Sequence, residues 1–197
     1  MEGNGKKADP EALYFIETGT VDVLAKLSED PKADEGTMEQ LAAETVTNIS
    51  KAVSRLVALG ARHVLVGNSF AYDEMPGSGQ LLASEQGTDN YIPVNVSAQV
   101  KAYQTSMNAE LPSTLEELAN QLNVKIEVFD FTAIEGRIRS NPEQYGLTNI
   151  YSSCTEHPYS AGYICAKPDE YYYWGLFDLS GRVHQILGEA MAEQLSK

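Results

Sequence analysis

Positive charge is scarce in this sequence. Of its 197 residues only 14 are Lys or Arg, against 28 Asp or Glu, giving a formal net charge of −14 and a pI near 4.5. Contact with a phosphate backbone needs clustered Lys and Arg, so nucleic-acid binding is excluded as a role. Long apolar runs are missing as well. Nothing approaches the roughly 18 to 20 consecutive apolar residues of a membrane span. The opening stretch, Met1-Glu-Gly-Asn-Gly-Lys-Lys-Ala-Asp-Pro10, has no apolar core, and no signal peptide is visible in it. Histidine occurs three times, cysteine twice and tryptophan once. With so few imidazoles and thiols, a zinc site would draw on Cys154, His157 and Cys165, which lack an evident fourth ligand. No metal and no cofactor are expected.

Cys154 and Cys165 lie close together in a Gly/Pro/Tyr-rich stretch. Such a pair can close a small disulfide worth roughly 3 kcal/mol by the loop-entropy argument. Without a visible leader, however, the default compartment is reducing. A lost secretory N-terminus reconciles the two. Asn48-Ile-Ser50 and Asn95-Val-Ser97 fit the N-glycosylation pattern and decide nothing by themselves.

What is present describes one globular domain. Apolar residues make up 43% and charged residues 21%, at a length that buries a sizeable core. Leu13 to Ile16 is a short apolar run suited to a buried strand, followed by a turn at Gly19 and a helix start near Asp22. After a polar loop from Ser28 to Gly36, Thr37 with Gln40 suggests a capping box. Leu41, Val46, Ile49, Val53, Leu56 and Val57 repeat at helical spacing up to Gly60. His63 to Val66 is the next strand, ending at Gly67-Asn68. Residues 69 to 95 predict a long surface loop. A helix over Ser97 to Glu110 is expected to break at Pro112, with a new start at Ser113 and Glu116. Val124 to Asp130 is a strand, Thr132 to Arg139 a short helix, and Arg182 to Leu195 a final amphipathic helix. Strands alternating with helices predict parallel pairing and an α/β layer fold. In such sheets ligands bind where loops leave the carboxyl ends of the strands. Glu17 to Asp22 is therefore the first place to look for chemistry.

Those residues carry a resemblance. Tyr14-Phe-Ile-Glu-Thr-Gly-Thr-Val-Asp22 resembles the third sequence block of the GDSL/SGNH hydrolases, a superfamily of esterases, lipases and acetylesterases. Further segments similar to the family are Ala8 to Ile16, Gly60 to Asn68, Met107 to Leu111, Val128 to Phe131, Asn141 to Asn149 and Cys165 to Tyr171. The resemblance implies an SGNH-type, flavodoxin-like three-layer α/β/α sandwich over residues 1–197. It covers the C-terminal two-thirds of that fold, without the N-terminal region that holds the nucleophile.

The resemblance also shows what has changed. The third block ends in Gly-x-Asn-Asp, and its Asn donates to the oxyanion. Gly19 and Asp22 match, whereas Val21 stands at the Asn position and cannot donate. Losing one such donor costs about 100- to 1000-fold in turnover. No Gly-Asp-Ser nucleophile block occurs anywhere in the sequence. The last block, Trp-Asp-x-x-His-Pro, aligns on Trp174, which puts Gly175 at the triad Asp and Asp178 at the triad His. His184 matches a second family histidine on the final helix and reads as a packing or surface residue. His63, at the amino end of its strand, reads as structural. Ser69, Ser78 and Ser84 have no neighbouring base, as nucleophilic catalysis requires. Tyr171 to Trp174 is either a stacking platform for a sugar or, as the alignment favours, core.

The resulting expectation is a degenerate, catalytically inactive SGNH relative. Gly19, Thr20, Val21, Asp22, Asn68, Gly175 and Asp178 would line a remnant crevice for a small ester or carbohydrate-like ligand. Two alternatives stand beside it. One is an active ester hydrolase using an unrecognised nucleophile, or one completed in trans by a partner chain. The other is a shortened gene product without a function of its own. In the family's strand order, 2-1-3-4-5, Leu13 to Ile16 would lose its neighbour and become an edge. That strand has no Lys, Pro or inward charge to discourage pairing, so self-association or a partner strand is expected there.

Overall fold

Leu13–Ile16 forms β1, and its partner is not its neighbour in the chain but a strand that follows two helices. That partner, β2 (His63–Gly67), runs parallel to β1 and pairs on its other side with β5 (Lys125–Phe129), giving the order β1-β2-β5. Between them lie α1 (Thr20–Glu29) and α2 (Glu35–Leu59), then the antiparallel pair β3 (Leu81–Ser84) and β4 (Tyr91–Val94), and α3 (Ser97–Leu122). After β5 come α4 (Phe131–Ser140), the parallel pair β6 (Asn149–Ser153) and β7 (Tyr171–Tyr173), and α5 (Gly181–Leu195). The computed structural model describes residues 7–79, 81–84, 91–155 and 164–197.

The central strand explains why the sheet is parallel. Val64, Leu65 and Val66 are all buried, so both faces of β2 are covered, as helices on either side of a parallel sheet require. The arrangement is a mixed α/β fold consistent with a three-layer α/β/α sandwich. One layer rests on α2 against α3. Met38, Ala42, Val46, Ile49 and Val53 form the buried stripe of α2, and Val100, Tyr103, Met107, Leu111 and Leu115 that of α3. Stripes at steps of three and four residues are what two long helices need to pack along their length.

Several details depart from the sequence reading. The cap of α2 is Asp34, whose carboxylate accepts from the Thr37 N–H at 2.8 Å and from the Thr37 hydroxyl at 2.7 Å. Thr37 is thus capped and not the cap, and Gln40 bonds to Glu44 instead. Pro112 does not end its helix: α3 continues through it. Leu111 and Leu115 are buried on either side, and the hydroxyls of Ser113 and Thr114 donate back to the Glu110 carbonyl. Packing against α2 outweighs the lost backbone bond.

The described part of residues 69 to 95 is not a plain loop. Two 3-10 turns (Tyr72–Glu74 and Pro76–Gly79) carry buried Ala71, Tyr72, Met75 and Ser78, and β3 and β4 follow. Nor is β1 covered on both faces. It lies at the sheet edge with Leu13 and Phe15 45% and 44% exposed on one side. Among the described residues no helix is long and apolar enough to cross a membrane. Cys154 and Cys165 form a disulfide, with Cα atoms 4.9 Å apart.

Candidate functional site

Where the parallel strands end, the chain must turn, and three of those turns converge. The first, after β1, is made by Gly19, whose φ of +114° lies where only glycine is comfortable. A Cβ there would stand 2.4 Å from the Tyr103 hydroxyl, which itself donates to Thr45 Oγ1 at 3.1 Å. The turn delivers Glu17 and Thr20 to one side of a small cavity. The second, after β2, supplies Tyr72. The segment between β7 and α5 supplies Phe177 and Asp178, and α5 adds His184. Together they line a cleft of about 270 Å³, just below the range of drug-sized ligand cavities, about 300 to 1,000 Å³. A larger groove of about 640 Å³ runs between the start of α2 and α3, but none of the strand-end loops contributes to it.

Hydrogen bonds order the cleft wall. Thr20 Oγ1 donates to the Tyr72 hydroxyl, and that hydroxyl donates to Glu17 Oε1 at 3.1 Å. Burial, reinforced by the Glu17 charge, pushes the Tyr72 phenol far above its ordinary value, so it stays protonated at neutral pH. His184 Nδ1 lies 2.9 Å from the Ser180 carbonyl. A carbonyl can only accept, so Nδ1 carries the proton and Nε2 keeps a lone pair in the neutral ring. Asp178 sits at the end of a tight turn in which its carbonyl accepts from the Trp174 N–H at 2.8 Å. Inside that turn is Gly175, where a Cβ would come within 2.6 Å of Asp178 Oδ2.

A buried polar network, which sequence reasoning missed, supports the Tyr72 segment from behind. Glu135 on α4 is 2% exposed. It accepts from the Ala71 N–H at 2.8 Å and from the Tyr172 hydroxyl at 2.8 Å. Burial holds its carboxyl above the ordinary carboxylate range, partly offset by those two donors. One turn on, the Arg139 guanidinium lies 4.4 Å from the centre of the Tyr172 ring, pairs with Glu74 at 2.8 Å and donates to the Tyr173 hydroxyl. The latter donates in turn to the Glu74 carbonyl at 3.0 Å, and burial pushes its phenol up to about 12. Glu135 and Arg139 stand at the i, i+4 spacing of a helical pair; that spacing, with the Tyr171–Tyr173 run, was the available signal.

The structure separates the sequence candidates. Thr20 and Asp178, from distant parts of the chain, line the same cleft. Gly19 and Gly175 shape its two turns without lining it. Val21 is 78% exposed and Asp22 is exposed on α1; neither lines the cleft. Asn68 is corrected outright. It is 5% exposed, its amide donates to Asp130 Oδ1 at 2.8 Å, and its carbonyl accepts from the Phe131 N–H at 2.8 Å. It clamps the end of β2 to the start of α4.

Ser69 and Ser78 donate to backbone carbonyls, and His63 is exposed at the amino end of β2. His157, and with it the imagined zinc set, lies outside the described residues, as does the side chain of Ser84. Among the described residues no cluster of three or more His, Cys, Asp or Glu is placed to hold a metal, and no hydrogen bond joins a Ser or Thr hydroxyl to an imidazole. Tyr172 and Tyr173 are fully buried core, with Trp174 emerging beside them.

The site and the fold define an α/β protein with a small cleft at the carboxyl ends of a parallel sheet. No protein-family model and no curated protein matches the chain.

Proposed function

We propose that the chain is a non-catalytic relative of the SGNH ester hydrolases whose crevice binds a small ester or carbohydrate-like ligand. One observation carries this reading. The cleft joins the segment that resembles the third family block, through Thr20, to the segment that resembles the last one, through Asp178, yet it holds no hydroxyl bonded to a base. Thr20 donates to a phenol that burial keeps protonated, which cannot take the proton as a general base must. Val21 offers no donor for an oxyanion. Restoring the family residues at Val21, Gly175 and Asp178 together is expected to give no turnover, because the sequence contains no Gly-Asp-Ser block to supply the nucleophile.

The test is direct. The purified protein should hydrolyse 4-nitrophenyl acetate no faster than buffer and take up no serine-directed fluorophosphonate. Turnover with stoichiometric labelling would replace this reading with the alternative of an active ester hydrolase. That alternative draws support from Thr20 and His184 lining one cleft, and loss of the turnover in Thr20→Ala would identify the nucleophile.

A partner is inferred at the sheet edge. The outer side of β1 carries no strand among the described residues, and Leu13 and Phe15 expose apolar surface beside it. Unpaired, unguarded edges recruit strands. A second copy or a strand-donating partner is therefore expected to join there, and light scattering at low micromolar concentration should show a species larger than the monomer. A monodisperse monomer would count against it.

A further inference from the structure

The crevice has a chemical polarity that narrows its ligand further than size does, and the inference rests on the reading that it binds a small molecule. Its protons are already committed. The Thr20 hydroxyl donates to Tyr72 and the Tyr72 hydroxyl donates to Glu17. The proton on His184 Nδ1 goes to the Ser180 carbonyl. What the side chains present to an incoming molecule is therefore acceptors: the carboxylates of Glu17 and Asp178, the lone pairs of Thr20, and Nε2 of His184. Among the described residues neither Lys nor Arg lines the cleft, and the protein around it carries a net charge of −14. The remaining wall is apolar and partly aromatic, with Met75, Leu179, Phe177, and Phe70 against Tyr72 at 5.7 Å between ring centres.

Acceptors without donors match a ligand rich in donors, because an acceptor that a bound ligand cuts off from water costs free energy unless the ligand supplies its partner. Two carboxylates beside aromatic faces suit a cation in particular, through ion pairing and attraction to the ring faces. One feature pulls the other way. Helix α1 begins at Thr20 with no side-chain cap, and a helix amino end favours negative charge. That end is worth about half an elementary charge, against two full carboxylates in the cleft and Asp22 in the first turn of the same helix. The carboxylates win, and the uncapped end remains suited to a neutral hydroxyl oxygen. We propose that the crevice selects an amine-bearing polyol, of the amino-sugar or amino-alcohol class, and rejects carboxylates and phosphates.

Calorimetric titration of the full chain at 150 mM salt with glucosamine, glucose and glucuronate tests this. Glucosamine should bind at least tenfold more tightly than glucose, and glucuronate should give no binding. In the double variant Glu17→Gln, Asp178→Asn the preference for glucosamine over glucose should fall below threefold. In Glu39→Gln, Glu143→Gln, which removes the same charge from outside the cleft, it should persist. Both crevice carboxylates are exposed, so the double variant is expected to fold, and an unchanged circular dichroism spectrum and melting curve would verify it. Equal affinity for glucosamine and glucose, a preference for glucuronate, or a preference that survives in the crevice variant would each overturn the proposal. Binding of glucose or of a short ester alone would leave the ligand-crevice reading standing without it. No binding by any sugar or short ester would overturn both.

Discussion

The Asn68–Asp130 clamp and the Glu17–Asp178 crevice both lie where the chain leaves the parallel strands, and both are built from short polar side chains. They differ in whether those side chains have been answered. In the clamp the Asn68 amide uses its donor on Asp130 and its acceptor on the Phe131 N–H, and Asp130 also caps α4 through the Ala133 N–H at 3.0 Å. Glu135 behind it is likewise met by Ala71 and Tyr172. In the crevice the internal bonds consume the hydroxyl protons and leave carboxylate and imidazole acceptors open to a cavity. Position at a strand end does not distinguish a structural group from a binding group; the state of its hydrogen bonds does.

The largest effect that would sharpen this contrast is at Glu135. Glu135→Ala leaves a buried N–H and a buried phenol without their acceptor, while Arg139 keeps Glu74, and should destabilise the fold by about 2–5 kcal/mol, read as a lowered denaturation midpoint. A pH series gives a second reading. Because burial raises the folded pKa of Glu135, the folded protein keeps a proton that the unfolded chain has released above about pH 4.3. Stability from this group is full below that value and is lost as pH rises through the folded pKa. The wild-type stability minus that of Glu135→Gln should therefore fall with rising pH across that window; a difference that rises instead would show the carboxylate is stabilised by its partners.

Next comes the clamp. Asn68→Ala leaves the Phe131 N–H buried without an acceptor and should cost about 2 kcal/mol, while affinity for a crevice ligand changes less than twofold. Gly19→Ala should cost about 1–2 kcal/mol for the positive φ alone, with a further loss as the Tyr103 hydroxyl is displaced; chemical denaturation measures it. Smallest is the crevice itself. Asp178→Asn should shift stability by under about 0.5 kcal/mol, as exposed substitutions usually do, yet weaken ligand binding. If Asp178→Asn proved as costly to the fold as Asn68→Ala, the distinction between the two regions would collapse.

Most of the sheet was legible because its strands announce themselves by apolar runs: Leu13 to Ile16, His63 to Gly67 and Lys125 to Phe129 all appear close to their expected limits. Regions where tertiary packing overrides local signals were not. Pro112 reads as a helix end in any local rule, and only the burial of Leu111 and Leu115 against α2 keeps α3 whole. Residues 69 to 79 read as loop because they are rich in Gly, Ser and Pro, while their burial depends on Glu135 and Tyr173, some 60 to 100 residues away in the chain. The crevice was half legible. The strand-end rule located Thr20, and alignment located Asp178. Glu17 lay in the stretch singled out for chemistry, but its bond to Tyr72 spans 55 residues that no periodicity connects. Asn68 misled because a polar residue at a strand end looks the same whether or not its partners are supplied by another loop.

The contrast between answered and open polar groups is tested most directly by amide chemical shifts. Titrating glucosamine into the isotopically labelled full chain should perturb Glu17, Thr20, Tyr72, Asp178 and His184, with Asn68, Asp130 and Glu135 unmoved. Shifts centred on Asn68 and Asp130, or spread evenly over the acidic surface with none concentrated at the crevice, would contradict the account.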